Sequence, residues 1–283
     1  FAPTYIQHST LAADGIDGLK TLVANLPAGF RYDGERIIAD DPRTWDATYI
    51  DEPASFTTEM ANAATFDQVV GEFTTGGYSQ ASGVNIARVA EMVDGAMVAP
   101  GDTFSLNGYT GPRGTAQGFV ESGIIMNGHA DKAVGGGISQ FATTRYNAAY
   151  FGGMEDVTHT PHSYYISRYP AGREATVFEG AIDLAFKNTS QYPGRIATSA
   201  GGGQVTVKLM GVKVVNVESV NGGRWATTQP NTISLSGKDC SPSSGAPGFT
   251  TSDTRIVKDL NGNELSRKTT TTVYNPSPIV KCT

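Results

Sequence analysis

Gly135-Gly136-Gly137-Ile138-Ser139-Gln140 is the stretch on which the fold turns. Three glycines lead into a run, Ile138 to Phe151, in which Ile138, Phe141, Ala142, Ala148 and Ala149 supply a buried helical face. Gly152-Gly153 stops it. The reading is a glycine-led helix with a small polar side chain, Ser139, in its first turn. A helix start offers unpaired N–H groups and a partial positive charge, which bind an anion or stabilise a developing oxyanion. A histidine, His162, follows in Thr160-Pro161-His162-Ser163-Tyr164-Tyr165. A nucleophile at a helix start with an imidazole brought in later is one way to build an acyl-transfer site.

Outward from this helix the pattern is mostly β. Upstream, Val69 to Thr75 reads as a strand and Gly76-Gly77 as a turn. Val84 to Val93 is a helix with Ile86, Val89, Ala90 and Val93 on one face, closed by Gly95. Met97 to Ser105 reads strand, Pro-Gly turn, strand, and Phe119 to Met126 is a further strand. Downstream, strands are expected at Tyr164–Tyr169, Ala175–Phe178, Asp183–Asn188, Gly194–Thr198, Val205–Met210 and Lys213–Val220. Gln204 to Leu209 alternates with period two, as a half-exposed antiparallel strand should. In the tail, Arg255–Asp259 and Ser266–Tyr274 are joined by Asn261-Gly262-Asn263, a hairpin signal. The first 65 residues carry a short helix, Gly18 to Leu26, ended by Pro27 and Gly29, then isolated apolar pairs such as Ile37-Ile38. The fold class is α+β with antiparallel sheet dominating. Three segments are expected: 1–65, a leader or part of an upstream domain; 66–222, the main domain; and 223–283, a small C-terminal β-hairpin module.

Charged residues are 17% and glycines number 34, with Ser and Thr frequent in the last third, which suits a β-rich secreted-type surface. A net charge of −6 argues against nucleic acid as a partner. No apolar run reaches the roughly 18 residues needed to span a bilayer. Phe1 follows no initiator Met and opens no basic-then-apolar signal segment, so it reads as a trimmed start. Cys240 and Cys282 leave no thiol over. They are either two free buried cysteines or a disulfide closing the C-terminal module; the disulfide is favoured and implies an oxidising, extracytoplasmic compartment. Closing that loop contributes about 3–4 kcal/mol in the chain-entropy model.

Several motifs occur together in a fixed order. They are Asn85-Ile86-Ala87, Pro100 to Asn107, Gly118-Phe119, Val134 to Gln140 with Thr143-Thr144, Asn147-Ala148-Ala149, Pro161-His162-Ser163, Tyr169, Gly172 to Val177 and Asp183 to Asn188. In this the chain from about Val69 to Gly211 resembles the VanW-type domain of bacterial cell-envelope proteins. The tail from Gly248 to Cys282 is similar to the β-hairpin appendage that often follows such domains. The resemblance implies an extracytoplasmic protein tied to peptidoglycan. Some members are implicated as L,D-transpeptidases that use a cysteine on wall stem peptides, in a Gly-Gly-Gly-Ile-Cys-Gln pattern. Here the mapped nucleophile position is Ser139 and the mapped histidine is His162.

A cysteine at a helix start gains acidity enough to be a thiolate at neutral pH, whereas a serine needs a general base in contact and a group to orient that base. His162 is the candidate base; Asp183, Glu174 and Asn147 are candidate orienters. Ser139 is thus a working nucleophile, the mark of a domain that kept binding and lost chemistry, or an engineered replacement. Its plain structural role would be an N-cap. Gly136, Gly137, Gln140, Thr143, Ser163, Tyr164 and Arg173 are the candidate substrate-binding residues, with N–H groups near Gly137 to Gln140 for an oxyanion and Arg173 for a carboxylate. Arg173 reads equally well as an ion-pair partner of Glu174 or Asp183. His129 reads as a solvated turn residue. His159 and His162 with Asp156 lack a convincing third ligand, so no metal is expected. No Gly-Lys-Ser/Thr follows the glycines, so no nucleotide cofactor is expected either.

Overall fold

A computed structural model describes residues 30–32, 37–39, 57–59, 64–126, 128–237 and 240–283. The chain divides into two units, residues 1–57 and 58–283. In the first, β1 (Phe30–Tyr32) and β2 (Ile37–Ala39) pair antiparallel, so the Ile37-Ile38 pair belongs to a strand. The helix expected at Gly18 to Leu26 lies outside the described residues.

The second unit opens with β3 (Gln68–Gly76), α1 (Gln80–Val93), β4 (Met97–Val98), β5 (Thr103–Ser105) and a short α2 (Leu106–Thr110). A hairpin, β6 (Glu121–Met126) and β7 (His129–Val134), precedes α3 (Ile138–Phe151), whose ends are those expected. Then come β8 (Glu155–Thr158), β9 (Ala185–Lys187), β10 (Gly194–Gly201), β11 (Gln204–Gly211), β12 (Val215–Thr228) and β13 (Thr232–Leu235). The chain closes with β14 (Ser243–Ala246), β15 (Gly248–Asp259), β16 (Glu264–Tyr274) and β17 (Ser277–Cys282). The α+β class with antiparallel sheets is as the sequence indicates.

The core forms on a four-stranded antiparallel sheet in the order β3-β11-β10-β4. Period two in β11 turns Val205, Val207 and Leu209 inward. Against them pack Ile86, Val89 and Val93 of α1 and Phe141, Ala142 and Ala148 of α3. Each large apolar side chain so buried contributes roughly 1.5–3 kcal/mol. Helix α1 starts four residues before the expected Val84, because Ser79 caps it by accepting from the Ser82 N–H.

β3 and α3 approach closely enough that only glycine fits between them. A Cβ on Gly71 would lie 2.2 Å from the Ala148 carbonyl oxygen and 2.4 Å from the Gly152 nitrogen. Gly71→Ala is therefore expected to lower stability by about 1–3 kcal/mol, since backbone must move to admit the methyl. Gly123→Ala in β6 meets nothing within 4 Å and is the control. Equal melting temperatures for the two variants would contradict the packing argument.

The strands expected on either side of Pro100-Gly101 are present as β4 and β5, and each finds a different partner: β4 joins β10, whereas β5 pairs with β9. Other expectations are corrected. Tyr164–Tyr169 is turn, touching strand geometry only in a parallel bridge from Tyr164 to Asn275. The boundary placed at 222/223 falls inside β12, which pairs with β15 from Val215 to Thr228. β16 adds to β15, and the intervening turn has Gly262 at φ +91°, with the Asp259 carboxylate accepting from the Asn261 and Asn263 N–H groups. β17 lies between β13, parallel, and β14, antiparallel, and Cys240 is disulfide-bonded to Cys282 with Cα atoms 5.8 Å apart.

Candidate functional site

The glycine turn is built by packing. Gly135 (φ +77°) and Gly137 (φ +91°) occupy the left-handed region, and a Cβ on Gly136 would lie 2.3 Å from the Ser122 carbonyl oxygen of β6. Gly135 N–H donates to the Val120 carbonyl and Gly136 N–H to that of Ala133. From α1, Asn85 donates to the carbonyls of Val120 and Gly136 and accepts from the Val120 N–H. The turn is pinned between α1 and the β6–β7 hairpin, and the cap of α3 is Gly137, which brings no side-chain acceptor. Ser139 is not the N-cap.

Ser139 is instead the first member of a polar stripe. Ser139, Thr143 and Asn147 stand one turn apart along α3 and meet alternate residues of an extended segment, Arg173 to Val177. The Ser139 hydroxyl accepts from Val177 N–H at 3.2 Å and donates to the Val177 carbonyl at 3.5 Å. Thr143 Oγ1 accepts from Ala175 N–H at 3.0 Å and donates to its carbonyl at 3.2 Å. Asn147 donates to the Arg173 carbonyl at 2.7 Å and accepts from Arg173 Nη1 at 2.5 Å. On the segment's other edge, Thr176 N–H donates to the Thr160 carbonyl. The side chains of a helix thus do for this segment what a neighbouring strand would do. That is why Ala175–Phe178, expected as a strand, is extended but joins no named sheet.

His162 makes no hydrogen bond to this stripe among the described residues. Its ring packs 5.6 Å from that of Tyr169, its Nδ1 is buried without a partner, and among the described residues no hydrogen bond joins it to Ser139. Burial, then the charges of Arg168 and His159, push its pKa down to about 4, so the ring is neutral at pH 7. None of the candidate orienters is hydrogen-bonded to the ring. Asp183 accepts from the Ser105 hydroxyl at 2.5 Å and the Asn107 N–H at 2.9 Å, and Asn147 is engaged with Arg173. Glu174 is fully buried; its Oε1 accepts from the Tyr274 hydroxyl at 2.6 Å and its Oε2 has no partner. Burial raises its pKa to about 7, against the pull of the Tyr274 bond and the nearby His159.

The candidate binding residues are largely committed elsewhere. Buried Gln140 donates to the Gly76 carbonyl and accepts from Arg168 Nε at 3.1 Å. Ser163 is exposed, and its carbonyl accepts from Asn275 N–H. Tyr164 stands where a Cβ on Gly128 would meet its ring at 2.7 Å. Arg173 pairs with neither Glu174 nor Asp183: its Nε lies 3.4 Å from Asp253 Oδ1 of β15, and its guanidinium stacks on Phe73, Tyr150 and Phe151. His129 opens β7, half-buried. His159 Nδ1 lies 3.5 Å from Asp156, its ring stacks on Tyr146 at 3.9 Å, and its Nε2 is 2.6 Å from the Glu174 carbonyl oxygen. Among the described residues no three His, Cys, Asp or Glu side chains stand together as a metal site.

Sequence reasoning missed Asp253 and Tyr274. Asp253 accepts from the hydroxyls of Tyr150 and Ser219, and the Tyr274 hydroxyl also accepts from Gly172 N–H at 2.8 Å. They lie 80 and 102 residues from the partners they brace, in strands that look solvated, so no local signal marks them.

No helix among the described residues is long and apolar enough to cross a membrane. No solved structure matches the chain. Among curated proteins it is 34% identical over 132 residues to the uncharacterized protein YoaR of Bacillus subtilis (strain 168), a match covering 47% of this chain and 44% of that protein. The chain thus spans less than half the length of the curated relative it matches. A family model described as "VanW like protein" matches residues 66–210, just over half the chain, so the chain belongs to the VanW-like family, which is linked to the bacterial cell wall.

Proposed function

We propose that this chain is an extracytoplasmic cell-wall protein that binds peptidoglycan stem peptides without processing them. It is a binding or scaffolding member of its family in which position 139 has exchanged chemistry for structure. One observation carries this reading: the Ser139 hydroxyl gives its proton to the Val177 carbonyl, and accepts from the Val177 N–H, instead of meeting a base. A serine nucleophile needs its hydroxyl on a base, and a base works best with a pKa near the working pH. His162, at about 4, lies some three units below neutrality. The disulfide Cys240–Cys282 supports an oxidising location. The stem-peptide ligand rests on the family link.

The test incubates the protein with a donor tetrapeptide and an acceptor amine, and reads intact mass and binding. Wild type and Ser139→Ala are expected to bind the tetrapeptide saturably and to form no acyl adduct. Turnover by Ser139→Cys would support a groove that survives behind a lost nucleophile. An adduct on wild type that disappears in Ser139→Ala would overturn the non-catalytic reading, and absence of binding would overturn the ligand.

A further inference from the structure

A concave site lies along the C-terminal half of α3. A cleft of about 210 Å³ opens between α3, β8, β9 and β16. Its apolar lining is Ala149, Met154, Leu184 and Phe186. Drug-sized ligands occupy about 300–1,000 Å³, so this space suits a molecule of amino-acid size.

The charges around it are sorted by wall. Arg255 and Lys268 are direct cross-strand partners on β15 and β16, and both line the cleft. Like charges directly opposed across a ladder are destabilising, and neither is in an ion pair among the described residues. Arg255 is held in place by two bonds to the Tyr150 carbonyl, from Nε at 3.1 Å and Nη2 at 2.7 Å. Arg145, fully buried, also lines the cleft; its guanidinium lies 4.6 Å and 4.9 Å from the centroids of the Phe104 and Phe186 rings, donates to the carbonyls of Phe104 and Leu184, and keeps an Nε with no partner. On the β8 side stand two carboxylates, Glu155 and Asp156. Asp156 is shared with His159 and Tyr146, while Glu155 is exposed and forms no ion pair among the described residues.

We infer that this cleft binds a small zwitterion, an amino acid or the end of a short peptide. Its carboxylate faces Arg255 and Lys268, and its ammonium faces Glu155 and Asp156. A lone anion would satisfy the cations but meet the β8 carboxylates, and a lone amine the reverse; only a ligand carrying both ends matches both walls. The inference stands independently of what Ser139 does, because none of these residues belongs to the Ser139 stripe.

The probes are alanine and alanyl-alanine, with acetate, inorganic phosphate and methylammonium as single-charge controls, titrated calorimetrically against the whole chain. Alanine or the dipeptide is expected to bind saturably, at least about tenfold tighter than any control, as for a charge-assisted contact at each end. Lys268→Ala and Glu155→Gln should each weaken binding about tenfold. Both residues are exposed, and an unchanged melting temperature confirms that the fold is retained. Tighter binding of alanine assigns the site to a free amino acid, and tighter binding of the dipeptide assigns it to a peptide end. Binding of acetate or phosphate as tight as that of the zwitterions, no saturable binding of either zwitterion, or variants that bind like wild type would each overturn the inference.

Discussion

Asp253→Ala lowers the stability of the 58–283 unit by about 3–5 kcal/mol, the range for breaking a buried ion pair from one side. Asp253 is 3% exposed and is the meeting point of Arg173, Tyr150 and Ser219. Its removal leaves the Arg173 guanidinium, itself mostly buried, with Asn147 as its one polar side-chain partner among the described residues. Arg173 lies on the segment that α3 grips, so the loss is transmitted to the helix stripe. Urea unfolding measures it. The double variant Arg173→Met/Asp253→Leu is expected to recover part of the loss, because it deletes both charges and keeps the volume. A single-variant cost below about 1 kcal/mol would sink the argument.

Glu174→Gln changes how stability depends on pH. The Glu174 carboxyl keeps its proton up to about pH 7 when folded, against an ordinary value of 4.5. Between these values the folded state binds more protons than the unfolded, so this group withdraws stability as pH rises. His162 does the opposite. Its ring stays neutral down to about pH 4 when folded, against 6.5 ordinarily, so it adds stability as pH rises through that window. The two nearly offset from about pH 4.5 to 6.5. Glutamine keeps an oxygen for the Tyr274 hydroxyl and removes the titration. The stability of the variant relative to wild type should therefore climb by about 2 kcal/mol between pH 4.5 and 6.5, and level off near 3 kcal/mol by pH 8. Chemical unfolding at four pH values reads this directly. A pH-independent difference would mean that Glu174 titrates normally.

Much of the helical frame was legible. The ends of α3 follow from its glycines, and the inward faces of both main helices follow from apolar spacing. The polar half of α3 was not. Gln140, Thr143, Thr144, Arg145 and Asn147 are all buried, and a periodicity argument assigns such residues to solvent. Most of their partners are backbone groups 26 to 39 residues further along, or Phe104, Gly76 and the Thr75 hydroxyl upstream, which no local pattern reveals. Ala175–Phe178 misled in the complementary way. Its composition is that of a strand and its backbone is extended, but its ladder is made of helix side chains. The disulfide was legible from cysteine parity. Arg173 was singled out for its charge, yet its counter-charge sits in β15, so its role could be read only in three dimensions.

The brace from the C-terminal sheet also has a consequence for when the protein can fold. The groups that complete the α3 site emerge last: Asp253 and Tyr274 follow the helix they serve by more than a hundred residues. A nascent chain that has reached β11 has its apolar core but still lacks the acid for Arg173 and the hydroxyl for Glu174. Completion therefore waits for the final hairpin.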